Sequence, residues 1–159
     1  MHNLIARYCL PVTDDLVLGR QVCFALYAAS RALTDVYRPI LDRFGLTYPQ
    51  YLVLLVLWEH DEQAPSVTEL GARLRLDSGT LSPLLKRLEG AGLVVRRRSA
   101  RDERRVEVGL TAEGRALRER MADVPLRVAR ATGLTAAELV AIRDTLTRVT
   151  ETIHRQKEQ

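Results

Sequence analysis

The sequence predicts a mainly helical protein with one small β-hairpin, arranged as a winged helix-turn-helix. Three observations support this fold class: apolar residues recur at helical spacing along most of the chain, two short helical segments are joined by a tight turn, and two β-branched segments follow them directly. The chain has 159 residues and is 47% hydrophobic, which suffices for one domain with a sizeable core.

The first predicted element is a long helix from about Leu18 to Phe44 that ends at Gly45, with a bend or an early break at Pro39. A second helix is predicted to begin near Tyr48 and Pro49, because proline suits the first helical turn. Its segment YLVLLVLWEH is apolar nearly all round, so we expect this helix in the middle of the domain.

Two short helices form the predicted helix-turn-helix. Ser66 and Glu69 have the spacing of a capping box at the start of SVTELGARLRL. Asp77 or Ser78 caps the next helix, DSGTLSPLLKRLEGAGL, which carries four leucines at helical spacing and stops at the glycines of EGAG.

A hairpin and two further helices complete the predicted fold. LVVRRR and RRVEVGL flank the polar loop SARDE, which is typical of a β-hairpin, here the wing. TAEGRALRERMADVPLRVARAT is predicted to form one amphipathic helix. TAAELVAIRDTLTRVTETIHRQ is predicted to form another, opened by Thr135 and Glu138 at capping-box spacing.

Arginines concentrate on the predicted wing, although the net charge of the chain is only +4. Guanidinium groups bind phosphates, and a slender loop can enter the minor groove of DNA, which is about 6 Å wide. As an alternative, these arginines could pair with Asp102, Glu103 and Glu107 in a solvated hairpin. The wing arginines are Arg96, Arg97, Arg98, Arg101, Arg104 and Arg105.

The helix before the wing has the residues that insertion into a major groove requires. Ser78, Thr80 and Ser82 are short hydroxyl side chains in its first turns, and Lys86 and Arg87 follow where a DNA backbone would pass. We therefore expect binding to double-stranded DNA. Winged helices also serve as protein-binding modules, which is the alternative at this point.

Other chemistries find little support in the sequence. Cys9 and Cys23 are too few for a disulfide framework, and the three histidines have no metal-ligand spacing. There is no glycine-rich phosphate loop, so we expect no cofactor. The longest apolar run, Leu52 to Trp58, is far shorter than the roughly 20 residues that cross a bilayer, and we expect a soluble, cytoplasmic protein.

Several segments resemble a known family. DERRVEVGLT is similar to the Asp-x-Arg wing followed by Leu-Thr of the MarR family of winged-helix regulators. CFALYAASR, TYPQYLVLLVLWEH, LDSGTLSPLLKRLE and RRSARDERRVEVGLT together resemble the OhrR-type organic hydroperoxide sensors within that family. The resemblance runs from about Cys23 to Glu113, and more loosely to the C-terminus.

The resemblance implies a homodimeric, DNA-binding transcriptional regulator. Its N- and C-terminal helices, about 18–44 and 112–156, would interlock as dimerisation helices within a single domain of residues 1–159. A winged lobe of about 48–111 in each subunit would reach a pseudopalindromic operator. The matched DNA-reading positions are Asp77, Ser78, Thr80, Arg87, Asp102 and Arg104.

The resemblance also implies a sensing pocket, in which Cys23 is the peroxidatic thiol and Tyr37 and Tyr48 of the partner subunit hydrogen-bond to it. Tyr27 would line the same pocket. Spacings of 4 and 14 residues place Tyr27 and Tyr37 within about 40° of Cys23 around an ideal helix, but Tyr37 lies about 21 Å away along the axis. An antiparallel partner helix would bring the two together, so the spacing fits a dimer independently of the resemblance.

The expected response is release of DNA on oxidation of Cys23 by an organic hydroperoxide, which would make the protein a repressor of a detoxifying gene. Two-cysteine members carry a resolving cysteine in the C-terminal helices, whereas no cysteine follows Cys23 here. The sulfenic acid would then be trapped by a small cellular thiol or be over-oxidised. Cys9 is either an unusual resolving thiol or incidental.

Three other interpretations remain open at this level. Cys23 is a small buried hydrophobe in the simplest of them, with the tyrosines as core or interface residues. A regulator of this family could instead respond to a small apolar or phenolic ligand, and a thiol peroxidase would use Cys23 catalytically. The lobe of DNA-reading elements argues against an enzyme.

Overall fold

The computed structural model describes residues 16–61, 63–99, 102 and 104–157. Its elements confirm the predicted class, a mainly helical chain with one antiparallel hairpin. In chain order they are α1 (Val22–Leu41), α2 (Tyr48–Glu59), α3 (Val67–Leu74), α4 (Ser78–Gly90), β1 (Val94–Arg98), β2 (Val106–Leu110), α5 (Ala112–Arg120), α6 (Val124–Ala131) and α7 (Ala136–Lys157).

The first helical run ends at Gly45, as predicted, but it is not α-helical throughout. A 3-10 turn covers Leu18–Arg20, α1 continues past Pro39 to Leu41, and a second 3-10 turn covers Asp42–Phe44. Gly45 has a φ of 66°, the left-handed conformation that glycine adopts without strain. The proline therefore leaves α1 intact from Val22 through Tyr37 to Leu41.

Helix α2 runs through the middle of the domain, as its all-round apolar sequence predicts. The backbone N–H of Thr47 donates to Oε1 of Gln50 at 2.8 Å and closes the start of the helix. Tyr51 and Trp58 are both buried, and the Trp58 indole N–H donates to the carbonyl oxygen of Gly114 at 2.9 Å. This bond ties α2 to α5 across the core.

The helix-turn-helix forms where its capping residues predict it. The Ser66 backbone N–H donates to Oε2 of Glu69 at 2.8 Å, and the Glu69 N–H donates to Oγ of Ser66 at 3.2 Å, so the capping box of α3 is complete. The turn to α4 passes through Arg75, whose φ of 56° is left-handed. Asp77 then caps α4 by accepting the Thr80 backbone N–H at 2.8 Å.

The wing is a regular antiparallel pair, with Val94 opposite Leu110 at its base and Arg98 opposite Val106 towards its tip. Its second strand also bonds to the segment before α3, because the Val108 N–H donates to the Pro65 carbonyl at 2.9 Å. Backbone pairing thus attaches the wing to the helix-turn-helix at its base.

The prediction of one helix after the wing was wrong, because α5 and α6 are separate helices. Pro125 is the second residue of α6, so it lacks the N–H that would bond to the Met121 carbonyl. Its ring would also clash with that carbonyl in a continuous helix. The break therefore falls just before the proline, around residues 121–123.

Helix α7 buries none of its described side chains. Together with α1 it leaves a row of apolar side chains open to solvent in the single chain: Val22, Phe24, Leu26, Leu33, Val140, Ile142, Leu146, Val149 and Ile153. Within the described residues, no single helix is long and apolar enough to cross a membrane. One pair of helical segments, Val22–Phe44 and Tyr48–Glu59, has the length and composition for a span when taken together, but the two are bent by 73° relative to each other.

Candidate functional site

Helix α4 has one buried and one exposed face, and the exposed face is polar. Four leucines at positions 81, 84, 85 and 88 fix the buried face in the core. The opposite face presents hydroxyl groups near the N-terminus and basic groups further along. These exposed side chains are Ser78, Thr80, Ser82, Lys86 and Arg87.

Three of the predicted DNA-reading residues also stabilise α4 itself. Oδ2 of Asp77 accepts the Thr80 hydroxyl at 2.9 Å, and the Ser82 hydroxyl donates to the Ser78 carbonyl at 2.7 Å. Hydrogen bonds from the Thr80 backbone and side chain lower the pKa of Asp77, so it is a carboxylate at neutral pH. The start of α4 is thus held in one conformation before any ligand is bound.

The wing arginines divide into two groups. Arg96 donates to Oε2 of Glu89 through Nη2 at 2.6 Å and Nε at 3.0 Å, and Arg105 donates to Oε1 of Glu69 at 2.7 Å. Arg97, Arg98 and Arg104 are exposed, and their guanidinium groups make no ion pair within the described part of the chain.

The acids that the sequence offered as partners are not the ones that pair with Arg96 and Arg105. Asp102 accepts the Arg104 backbone N–H at 3.0 Å, which closes the wing loop, and Glu107 lies opposite Arg97 in the strand register. Glu89 and Glu69, seven and 36 residues from their arginines, take that role instead. Arg101 and Glu103 lie outside the described residues.

Cys23 lies in the first turn of α1 and is exposed in the single chain. Tyr27, one turn further along, is 58% exposed, and its hydroxyl accepts a hydrogen bond from Arg31 at 3.3 Å. Because α1 is continuous from Val22 to Leu41, Tyr37 is about 21 Å from Cys23 along the helix.

Tyr37 instead packs with two tyrosines of α2. Its ring centroid lies 4.5 Å from that of Tyr48 and 5.8 Å from that of Tyr51. Tyr51 in turn packs edge-on against Trp58 at 6.2 Å. Tyr51 was not among the predicted site residues, although its position one helical turn after Tyr48 places both on one face of α2.

Burial keeps these three phenols protonated. It raises the pKa of Tyr37 to about 12, with smaller contributions from Tyr48 and Tyr51, and it also raises the pKa of Tyr48 and of Tyr51. Each is therefore a hydrogen-bond donor at neutral pH. One chain thus holds the thiol and the tyrosine cluster, defined as Tyr37, Tyr48 and Tyr51, at opposite ends of α1.

The fold and the exposed surfaces together define a class of protein. A helix-turn-helix with a polar and basic recognition helix, followed by an arginine-bearing hairpin, is a winged-helix transcriptional regulator.

Comparison with known proteins identifies the family. Residues 35–121 match the family described as transcriptional regulator SarA/Rot. The organic hydroperoxide resistance transcriptional regulator of Bacillus subtilis (strain 168) is 43% identical over 90% of this chain and 96% of its own length. The HTH-type transcriptional regulator TtmR of Methylorubrum extorquens (strain PA1) is 50% identical over 89% of this chain and 71% of its own length.

Solved structures of similar chains are also those of transcriptional regulators. AbfR of Staphylococcus epidermidis has a TM-score of 0.73 at 34% identity, covering 87% of this chain and 94% of AbfR. A structure of reduced AbfR bound to DNA has a TM-score of 0.70 at 35% identity, covering 86% and 94%. This chain belongs to the MarR family of winged-helix transcriptional regulators, in the organic hydroperoxide group that its sequence resembles, and it is not an enzyme.

Proposed function

We propose that the protein is a homodimeric repressor that binds a pseudopalindromic operator and releases it when an organic hydroperoxide oxidises Cys23. The observation that carries this proposal is the separation of the exposed Cys23 from the tyrosine cluster along one continuous α1. The relative from Bacillus subtilis is named for organic hydroperoxide resistance, and AbfR has been solved in a reduced form bound to DNA and in a form with a disulfide.

DNA binding is supported by the shape and charge of the winged lobe, residues of about 48–111. Helix α4 would enter the major groove with the exposed face that begins at Asp77, while Lys86 and Arg87 would contact the backbone. The exposed guanidinium groups of Arg97, Arg98 and Arg104 would contact phosphates or the minor groove. Arg101 belongs to this proposed surface by sequence alone.

Dimerisation is supported by the open apolar faces of α1 and α7. In a monomer they would leave several large apolar side chains open to water, among them Phe24, Leu26 and Ile153. A second chain laid antiparallel along α1 would cover these residues. It would also bring its Tyr37 and Tyr48 to Cys23, which the geometry of one chain forbids.

Oxidation then proceeds at this composite site. The Cys23 thiolate attacks the distal oxygen of the hydroperoxide, an S–O bond forms as the O–O bond breaks, and the alkoxide leaves as an alcohol after it takes up the thiol proton. Donated hydrogen bonds from Tyr37 and Tyr48 stabilise the thiolate. Exposed Phe24 and Leu26 beside Cys23 offer an apolar surface for the organic part of the peroxide.

The oxidised cysteine no longer accepts the tyrosine hydrogen bonds in the same way, so the dimer helices shift. Because the winged lobes are attached to those helices, their separation ceases to match the roughly 34 Å between successive major-groove half-sites. The sulfenic acid is then resolved by a small cellular thiol, with loss of water, or is oxidised further. Cys9 lies outside the described residues.

Fluorescence anisotropy on DNA from upstream of the protein's own gene tests this proposal. Cumene hydroperoxide should release the reduced wild type and leave Cys23→Ser bound. If both stay bound, Cys23 is not the sensor, and release of both by a small apolar or phenolic compound would identify a ligand-responsive regulator instead. Continued consumption of peroxide in the presence of a thiol reductant would favour a thiol peroxidase, whereas consumption of a single equivalent would favour a sensor.

A further inference from the structure

We infer that Arg96 and Arg105 are positioning residues that fix the wing against the helix-turn-helix, and that DNA contact by the wing is left to the other arginines. This inference rests on the proposed DNA binding. It assigns a role to Glu89 and Glu69, two acids on the DNA-reading lobe that the family resemblance does not explain.

The first pair joins β1 to the recognition helix. Glu89, in the last turn of α4, accepts two hydrogen bonds from the Arg96 guanidinium, and its Oε1 accepts the Arg96 backbone N–H at 3.2 Å. Side-chain and backbone bonds thus converge on one carboxylate, and they lower its pKa. The orientation of β1 is thereby set relative to the helix that enters the groove.

The second pair joins the other strand to α3. Arg105, the residue before β2, donates from Nη2 to Oε1 of Glu69 at 2.7 Å and to Oγ of Ser66 at 3.3 Å. Glu69 uses its other oxygen for the α3 capping box, so its carboxylate is already fixed when Arg105 binds it. Bonds from the Ser66 backbone and hydroxyl, and then from Arg105, hold the pKa of Glu69 down to about 2.

The two pairs hold the wing from both sides. Arg96 of β1 is joined to α4, and Arg105, just before β2, is joined to α3. Backbone pairing already holds the base of the hairpin through Val108 and Pro65. The side-chain pairs extend that support towards the tip, where Arg97, Arg98 and Arg104 lie exposed. A wing held in one pose loses less conformational entropy when it binds DNA.

Neutralising Glu69 and Glu89 changes the affinity for DNA in opposite directions, depending on whether Arg96 and Arg105 contact phosphates or position the wing. If Arg96 and Arg105 contacted phosphates, Glu69→Gln and Glu89→Gln would remove repulsion and tighten DNA binding. If the acids brace the wing, the same changes weaken binding, by about two- to fivefold for each exposed pair. Glu69→Gln is a clean change because glutamine at this position preserves the capping box.

The experiment titrates wild type, Glu69→Gln, Glu89→Gln, Arg98→Gln and Arg105→Gln with a labelled duplex from upstream of the protein's own gene, over a range of salt concentrations. We expect weaker binding with an unchanged salt slope for the two acid variants. Arg98→Gln should reduce the slope by about one, since it removes a phosphate contact. Glu113→Gln is the matched charge control, because its partner Arg120 lies on α5 and not on the wing.

Tighter binding by the acid variants, or a reduced salt slope for Arg105→Gln, would overturn the inference. Amide hydrogen exchange of the free protein adds a readout that needs no DNA: exchange of the wing amides should accelerate in Glu69→Gln and Glu89→Gln and stay unchanged in Glu113→Gln. Unchanged exchange in the acid variants would also overturn it. Wild type that failed to bind any duplex would refute the proposed function, while the exchange comparison would still report whether the pairs hold the wing.

Discussion

Gly114 is the residue at which a single methyl group should do the most damage. An added Cβ would lie 2.1 Å from the Leu93 carbonyl oxygen, and the Gly114 carbonyl also accepts the buried Trp58 indole. We predict that Gly114→Ala lowers the free energy of unfolding by about 3 kcal/mol, because backbone must move to relieve the overlap. Gly90→Ala is the control, since a Cβ there meets nothing within 4 Å. Equal effects in urea unfolding would contradict this prediction.

Arg75 should respond in the opposite direction. It holds a φ of 56° at the C-terminus of α3, a conformation that costs a non-glycine residue roughly 1 kcal/mol. We therefore predict that Arg75→Gly raises the free energy of unfolding by about 0.5 kcal/mol, despite losing the contact with His154. Ala72→Gly, inside the same helix, should lower it by about 1 kcal/mol. A loss of stability in Arg75→Gly would show that the His154 contact outweighs the backbone strain.

Local chemistry explains which residue roles the sequence could predict. The capping functions of Ser66, Asp77 and Thr135 depend on partners three residues away, and all three form. The partner of Arg105 is 36 residues away, so only the folded chain reveals Glu69 in that role. Tyr51 lies in a helix segment that is apolar nearly all round, and its place one turn after Tyr48 was the signal that could have linked it to the tyrosine cluster.

At the scale of elements, the apolar pattern of the C-terminal half predicts helix but does not predict where one helix ends and the next begins. The apolar spacing of 112–132 continues across the α5–α6 boundary, so periodicity alone predicts one helix. Pro125 marks the break, but proline is compatible with a kinked helix as well as with two helices. The elements from α2 to β2 are short, well capped or strongly patterned, and their bounds agree closely with the prediction.

The pair that joins α3 to the wing should be pH-dependent. The pKa of Glu69 falls from an ordinary 4.5 to about 2 on folding, so the stability that its carboxylate contributes is complete above pH 4.5 and is lost as pH falls through about 2. We predict that the difference in free energy of unfolding between wild type and Glu69→Gln follows that course. Chemical denaturation at several acid pH values measures it, and a difference independent of pH would be inconsistent with this assignment.

For the whole molecule, a single chain shows the winged helix-turn-helix but does not bring Cys23 to the tyrosine cluster. The lobe is built from contacts within one chain, and its class follows from element order. The site is different, because Cys23 and Tyr37 share a helix and a face yet lie far apart. The same separation follows from the spacing of the two residues in the sequence, and in the proposed dimer a second chain brings a tyrosine to each thiol.

Mixed dimers test this directly. In a heterodimer of Cys23→Ser and Tyr37→Phe subunits, the one remaining Cys23 thiol shares a chain with Phe at position 37, while the partner supplies an intact Tyr37. If the tyrosine acts across the interface, that thiol should form sulfenic acid at the wild-type rate. The Tyr37→Phe homodimer should react roughly tenfold more slowly, since each thiolate loses a charge-assisted hydrogen bond.

Stopped-flow oxidation with cumene hydroperoxide, on heterodimers isolated through two different affinity tags, would measure both rates. A heterodimer of wild type and Cys23→Ser is the control, since it also has one Cys23 thiol but keeps both Tyr37 side chains. A slow mixed dimer would mean that Tyr37 acts on the thiol of its own chain, which a continuous α1 does not permit, so α1 would have to bend or unwind in the dimer. A fast one would place each sensing site across the dimer interface, where a change at Cys23 alters the contact between the subunits that carry the two wings.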